Sequence, residues 1–255
     1  KGGVGKTTTV INLASALSIL GQNNLIIDLD PQGNATTGLG ANNNDEENNI
    51  YNLLIKKIDL KNSIKKTKIK NLDLIGSNVN LSGLEVETAN DADRAFVLKQ
   101  ILSKERNLLL SKYDNIFIDC PPSLSLLTIM ALVASDELLV PLQTEFFALE
   151  GITQLVKTID RIKINLNPEL KVKGILLTMF DKRNKLSSQV DQEARNFFKE
   201  KVYKTVIPRN VRLSEAPSHG LPCVMYDKTC LGSKSYFKLA DEFLAKKNIK
   251  VESAA

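Results

Sequence analysis

The chain alternates short, almost wholly apolar runs with longer segments in which apolar residues recur at helical spacing. Apolar runs at residues 25–30, 72–75, 115–119, 137–141 and 172–179, with a shorter one at 205–207, predict strands. Segments at 7–20, 94–110, 124–134, 149–164, 188–199 and 234–247 predict helices. Strands such as 25–30 lack the polar alternation of a sheet with one wet face, so both faces are expected to be covered. Strand and helix in this alternation define an α/β fold, a mostly parallel β-sheet sandwiched by helices. Two stretches fall outside the pattern. Residues 41–49 are polar and Asn-rich and read as a surface loop. Residues 61–70 carry five lysines and no acid, which reads as a solvated edge before a binding patch.

Composition narrows the class. At 255 residues, 43% hydrophobic and 25% charged, the chain has the material of one sizeable globular domain. No apolar run approaches the roughly 18 residues of a membrane span. The three cysteines, Cys120, Cys223 and Cys230, are odd in number and form no C-x-x-C pair, which argues for reduced thiols and against a disulfide framework or a zinc site. The net charge of +5 resides entirely in residues 199–255, where 11 Lys/Arg face 6 Asp/Glu. A localised excess of this kind suits a polyanion such as DNA, RNA or a membrane surface, and equally a lysine-rich solvated helix.

The chemistry begins at the first residue. Lys1-Gly2-Gly3-Val4-Gly5-Lys6-Thr7-Thr8-Thr9 runs directly into a helical pattern. Glycines let a backbone fold tightly and turn its N–H groups toward a phosphate, and a helix start adds a positive field at the same place. Lys6 is placed to reach the β- and γ-phosphates of a nucleotide, and the Thr7 hydroxyl to bind Mg²⁺. The general pattern asks for one more glycine ahead of Lys1. A phosphate loop also ordinarily follows a central strand, and here the sequence opens inside the loop. The expectation is therefore a P-loop NTPase-like domain spanning residues 1–255, N-terminally truncated and lacking its first central strand. Two predicted strands end in acids: residues 25–30 in Asp28 and Asp30, which the two-residue period aims the same way, and residues 115–119 in Asp119. Asp119 fits the acid that holds Mg²⁺ through water. Asn184-Lys185-Leu186-Ser187 approaches a guanine-binding motif but lacks its carboxylate, which favours adenine. His219, the only histidine, reads as structural.

These residues resemble the deviant Walker A motif of the ParA/MinD ATPases. The stretch Asp28-Leu29-Asp30-Pro31-Gln32-Gly33-Asn34-Ala35-Thr36 is similar to the ParA/Soj branch of that group, as are Asp119-Cys120-Pro121-Pro122-Ser123-Leu124, Glu150-Gly151 and the segment from Val206 to Gly220. The resemblance implies an ATPase that uses ATP and Mg²⁺. Lys1 would cross an ATP-sandwich homodimer to the partner's nucleotide, and Lys6 would be the ordinary loop lysine. Asp30 would orient or activate the attacking water, with Asp28 and Asp119 near the metal. Gly2, Gly3, Val4, Gly5, Thr7 and Thr8 would complete the ATP-binding loop, and Pro208 and Asn210 would line the adenine pocket. Arg183, Arg209 and Arg212 would be candidates for DNA contact. It further implies non-specific DNA binding, a centromere-binding partner of the ParB/Spo0J type, and a cytoplasmic, nucleoid-associated protein without stable membrane attachment. Two alternatives share the motif: a MinD-like membrane-associated positioning ATPase and an ATP-dependent cofactor-biosynthesis enzyme of the same fold.

Overall fold

A computed structural model describes residues 2–145 and 148–252, with backbone alone at 148–150, 152–155 and 247–252. The strands are β1 (Asn24–Asp28), β2 (Lys65–Lys66), β3 (Leu72–Ile75), β4 (Asn115–Asp119), β5 (Glu137–Gln143) and β6 (Lys171–Thr178). They form two ladders, β2-β3-β1-β4 and β5-β6, with every pairing parallel except that of the short edge strand β2. Every residue of β1 and β3 is buried, as their continuous apolar sequence requires, whereas β4 and β5 are only partly so. Among the described residues no ladder joins β4 to β5.

Helices cover the sheet. The helix Lys6–Ile19 buries Leu13, Ala16 and Leu17 against Tyr236, Leu239 and Ala240 of the helix Leu231–Glu252. The Thr9 hydroxyl and the Tyr236 phenol, 3.2 Å apart, tie the two together. On the opposite side Leu25 and Ile27 pack with Leu98 and Leu109 and with Leu126 and Met130 of the helix Leu126–Ala134. No helix of the described residues is long and apolar enough to cross a membrane.

Several elements depart from the pattern reading. The predicted strand 25–30 stops at Asp28, because Asp28 Oδ1 accepts from Asp30 N (3.1 Å) and Asp30 Oδ1 from Gln32 N (3.0 Å), turning the chain. The two-residue period therefore does not reach Asp30, which a turn positions. The single helix predicted over 94–110 is three pieces, Arg94–Phe96, Val97–Lys104 and Arg106–Lys112, broken at Glu105 (φ −99°, ψ 18°). Residues 205–207 form no named strand. The N–H groups of Lys204 and Thr205 donate to the Glu242 carboxylate (2.8 and 2.9 Å), so contact with β6 is reduced to single hydrogen bonds from Tyr203 N to the Ile175 carbonyl and from Ile207 N to the Leu177 carbonyl, both 2.9 Å. The Asn-rich segment is a run of turns, yet its last residue, Asn49, is buried and caps the helix Ile50–Leu54. The lysine run supplies the edge strand β2, where Lys65 pairs with Asp45 and Lys66 with Asp73.

Candidate active site

The phosphate loop takes its shape from its glycines. Gly3 and Gly5 sit at φ +76° and +86°, where a side chain is strained, and Gly5 caps the helix that Lys6 opens. At Gly2 an added Cβ would meet only Pro122 Cβ at 3.7 Å, an ordinary contact. Gly2 and Gly3 are exposed, while Val4, Gly5, Lys6, Thr7 and Thr8 are half-buried. The loop is anchored to the second ladder: Thr178 Oγ1, at the C-terminal end of β6, donates to the Val4 carbonyl at 2.9 Å. Nothing in the periodicity of the sequence marks Thr178 for that role, because the contact spans most of the chain. Lys1 lies outside the described residues.

The three carboxylates gather at the C-terminal ends of β1 and β4. Asp28 and Asp119 are register partners on adjacent parallel strands, and Leu29 N donates to the Asp119 carbonyl at 2.9 Å. All three are buried: Asp28 is 0%, Asp30 6% and Asp119 1% exposed. Their environments differ. Asp28 Oδ2 accepts from Thr36 N (2.9 Å) and Thr36 Oγ1 (2.7 Å), and Thr36 Oγ1 accepts in turn from Ser77 N (2.9 Å). These bonds occupy much of Asp28's accepting capacity and make it the organiser of the turn as well as a charge. Burial pushes Asp28 up to about 6 against the hydrogen bonds from Thr36. Burial pushes Asp119 higher, to about 7, and the neighbouring charge of Asp28 adds to the shift. Neither Asp119 oxygen reaches a hydrogen-bond partner among the described residues; the Thr7 hydroxyl approaches from the phosphate loop and offsets only part of the shift.

A buried carboxylate with no full hydrogen-bond partner among the described residues, beside two others, is costly unless a cation or donor meets it. The donor set is all oxygen, the chemistry that Mg²⁺ selects. Asp119, Asp28 and Thr7 therefore fit a hard divalent cation.

The strand β6 also brings the late motif to this side of the molecule. Beyond Thr178, Phe180 bridges Pro208, and Arg209 N donates to the Phe180 carbonyl at 3.1 Å. Asn210 Oδ1 accepts from Arg212 N (3.0 Å) and caps the short helix Val211–Glu215. Pro208 and Asn210 thus stand beside the strand that anchors the loop. Asn184, from the incomplete guanine motif, caps the helix Lys185–Phe198, and Ser187 contacts Thr144. His219 stacks on Tyr226, ring centroids 4.8 Å apart.

The three arginines differ in their engagements. Arg183 holds Asp181 through Nε and Nη2, both at 3.1 Å, yet its side chain is 91% exposed. Arg212 is drawn into its own loop by Glu215 (2.7 Å) and Asp227 (3.5 Å). Arg209 is exposed.

A glycine loop at a helix start, facing buried carboxylates at the ends of parallel strands, defines a P-loop nucleoside triphosphatase. Comparison with known proteins refines that class. The family described as "AAA domain" matches residues 1–172. The chromosome partitioning protein ParA of Caulobacter vibrioides is 47% identical over 255 residues, covering 100% of this chain and 95% of that protein. The sporulation initiation inhibitor protein Soj of Bacillus subtilis is 48% identical over 245 residues, 96% of this chain and 95% of that one. Among solved structures, cobyrinic acid a,c-diamide synthase from Mycobacterium smegmatis with bound ATP analog and magnesium superposes with a TM-score of 0.82 at 32% identity, covering 94% of this chain and 89% of that one. The chain belongs to the ParA/Soj family of chromosome-partitioning ATPases.

Proposed function

We propose that this chain, with ATP and Mg²⁺, closes a sandwich homodimer that binds DNA without sequence preference. Hydrolysis, stimulated by a centromere-binding protein of the ParB/Spo0J type, reopens the dimer and releases DNA. The protein would then be cytoplasmic and associated with the nucleoid. The observation that carries the reading is the meeting of the phosphate loop with three buried carboxylates, one of them without a hydrogen-bond partner among the described residues.

In this reading the loop N–H groups and Lys6 bind and orient the triphosphate, with Gly2, Gly3, Val4, Gly5, Thr7 and Thr8 forming the cradle. Thr7, Asp28 and Asp119 would hold Mg²⁺, which when bound neutralises charge on the phosphate oxygens. Asp30, set in a turn rather than on a strand, orients the attacking water and takes its proton. Thr36 keeps Asp28 in place and so acts as a positioning residue. Lys1 would reach the partner protomer's nucleotide. Pro208 and Asn210 flank the adenine, and Arg183, Arg209 and Arg212 offer contacts to DNA phosphates. The test is retention of a random-sequence duplex with ATP, with ADP and without nucleotide. Retention with ATP alone is the expected result, and equal retention in all three states would overturn the proposal.

A further inference from the structure

Two of the three cysteines, far from the carboxylates in sequence, meet in the fold. Cys223 Sγ and Cys230 Sγ lie 3.5 Å apart, a van der Waals contact between free thiols. Several interactions hold them there. Cys223 opens the helix Cys223–Tyr226, and Cys230 immediately precedes the helix Leu231–Glu252. Between them Asp227 Oδ1 accepts from Thr229 N (3.0 Å), Thr229 Oγ1 (2.8 Å) and Cys230 N (3.1 Å), which fixes the connecting turn. Ser233 Oγ donates to the Cys223 carbonyl at 2.9 Å, and Ser233 N points at Cys230 Sγ from 3.4 Å.

We propose that Cys223 and Cys230 form a redox-active dithiol site, closed to an intramolecular disulfide by a small disulfide such as oxidised glutathione. A disulfide brings two sulfurs to about 2.05 Å, so closure asks for a movement of roughly 1.5 Å within an already ordered turn. Access sets the order of steps. Cys230 is partly exposed and Cys223 is buried. The Cys230 thiolate attacks one sulfur of the small disulfide, forming a mixed disulfide and expelling one small thiolate. Cys223, on losing its proton, attacks Cys230 Sγ and expels the second. Two protein thiols are oxidised, one small disulfide is reduced to two thiols, and two protons leave the protein. Burial pushes the Cys223 thiol up to about 12, in keeping with its place as the second, intramolecular attacker, where proximity compensates for a scarce thiolate. Cys120 contacts neither sulfur in this cluster; its own thiol instead lies toward the Ile118 carbonyl (3.8 Å).

The test uses the whole chain. It is incubated with oxidised glutathione, quenched with an alkylating agent and digested with trypsin, which can cut after Lys228 and so separate the two cysteines. The expected result is one pair of peptides joined through Cys223 and Cys230, with Cys120 alkylated and the protein unchanged in oligomeric state. Cys223→Ser is expected to arrest the reaction as a glutathione adduct on Cys230, and Cys230→Ser to leave Cys223 unreacted. Should either variant fail to fold, the wild-type chain decides by itself, since linkage must form several-fold faster in native buffer than in urea. A glutathione adduct that persists on wild-type Cys230 without linkage, or linkage faster in urea, overturns the proposal.

Discussion

At the residue scale the site is a set of charges that the apoprotein holds at a cost. Lys6 supplies the main countercharge to the phosphates in the proposed function, so Lys6→Ala is expected to weaken ATP binding about 100-fold or more, read by titration of a fluorescent ATP analogue. Asp30→Ala should keep ATP binding and lower the hydrolysis rate by about 100-fold, leaving a long-lived dimer. Asp119 behaves differently, since its buried oxygens lack a full hydrogen-bond partner among the described residues. Asp119→Asn is expected to raise the stability of the metal-free protein by about 1–3 kcal/mol while abolishing Mg²⁺-dependent hydrolysis. Loss of stability in urea titrations of that variant would show that the carboxylate has a partner after all. The same groups set a pH dependence. Folding raises Asp28 to about 6 and Asp119 to about 7 from 3.8, so between these values the folded state binds more protons than the unfolded. Their contribution therefore lowers stability as pH rises through that window. Because Mg²⁺ competes with those protons, its stabilising effect should be larger at about pH 8 than at about pH 5, by thermal melts with and without MgCl₂.

At the element scale, the loop is shaped by glycines and moored by a distant strand. Thr178→Val removes the hydrogen bond to the Val4 carbonyl while keeping the side chain's shape. A loss of about 1 kcal/mol is expected, or about fivefold in ATP affinity, with the fold intact by circular dichroism. Gly2 and Gly5 separate two further effects. Gly5 sits at φ +86°, so Gly5→Ala should strain the loop by about 1–2 kcal/mol and weaken nucleotide binding directly. Gly2 has room for a side chain within its own chain. Gly2→Val should therefore fold and bind ATP yet fail to dimerise, by light scattering, if the two loops face each other. A normal dimer would count against the sandwich arrangement.

At the scale of the whole molecule the positive excess of residues 199–255 does not translate into equally available charge. Arg212 is committed to Glu215 and Asp227, but water screens these exposed pairs, so phosphate can still compete for it. Arg209→Ala should weaken retention of random-sequence DNA and reduce its salt slope by about 1, leaving ATP-dependent dimerisation unchanged. Arg212→Ala should cost loop stability in addition to any loss of DNA binding. Unchanged retention in the Arg209 variant would remove it from the interface and turn attention to Arg183 and the lysine edge at 61–70.

Local chemistry was readable from the sequence because its rules are local. Phosphate loops need glycine at defined offsets from a helix start, and doubly covered strands need uninterrupted apolar runs. The loop, the helix after it and the acids ending β1 and β4 follow from these rules. The apolar runs over 72–75 and 115–119 coincide with the limits of β3 and β4. What the sequence could not supply were contacts between residues remote in the chain, since periodicity reports a face and not its neighbour. Only the tertiary structure decides that Asp28 and Asp119 stand in register, that Thr36 occupies Asp28 while Asp119 finds no comparable partner among the described residues, and that Thr178 moors the loop. It likewise decides that Glu242 takes the N–H groups that residues 204 and 205 would have given to a strand, and that two thiols seven residues apart touch. Each depends on which surfaces the helices bury together, a property of the packed whole.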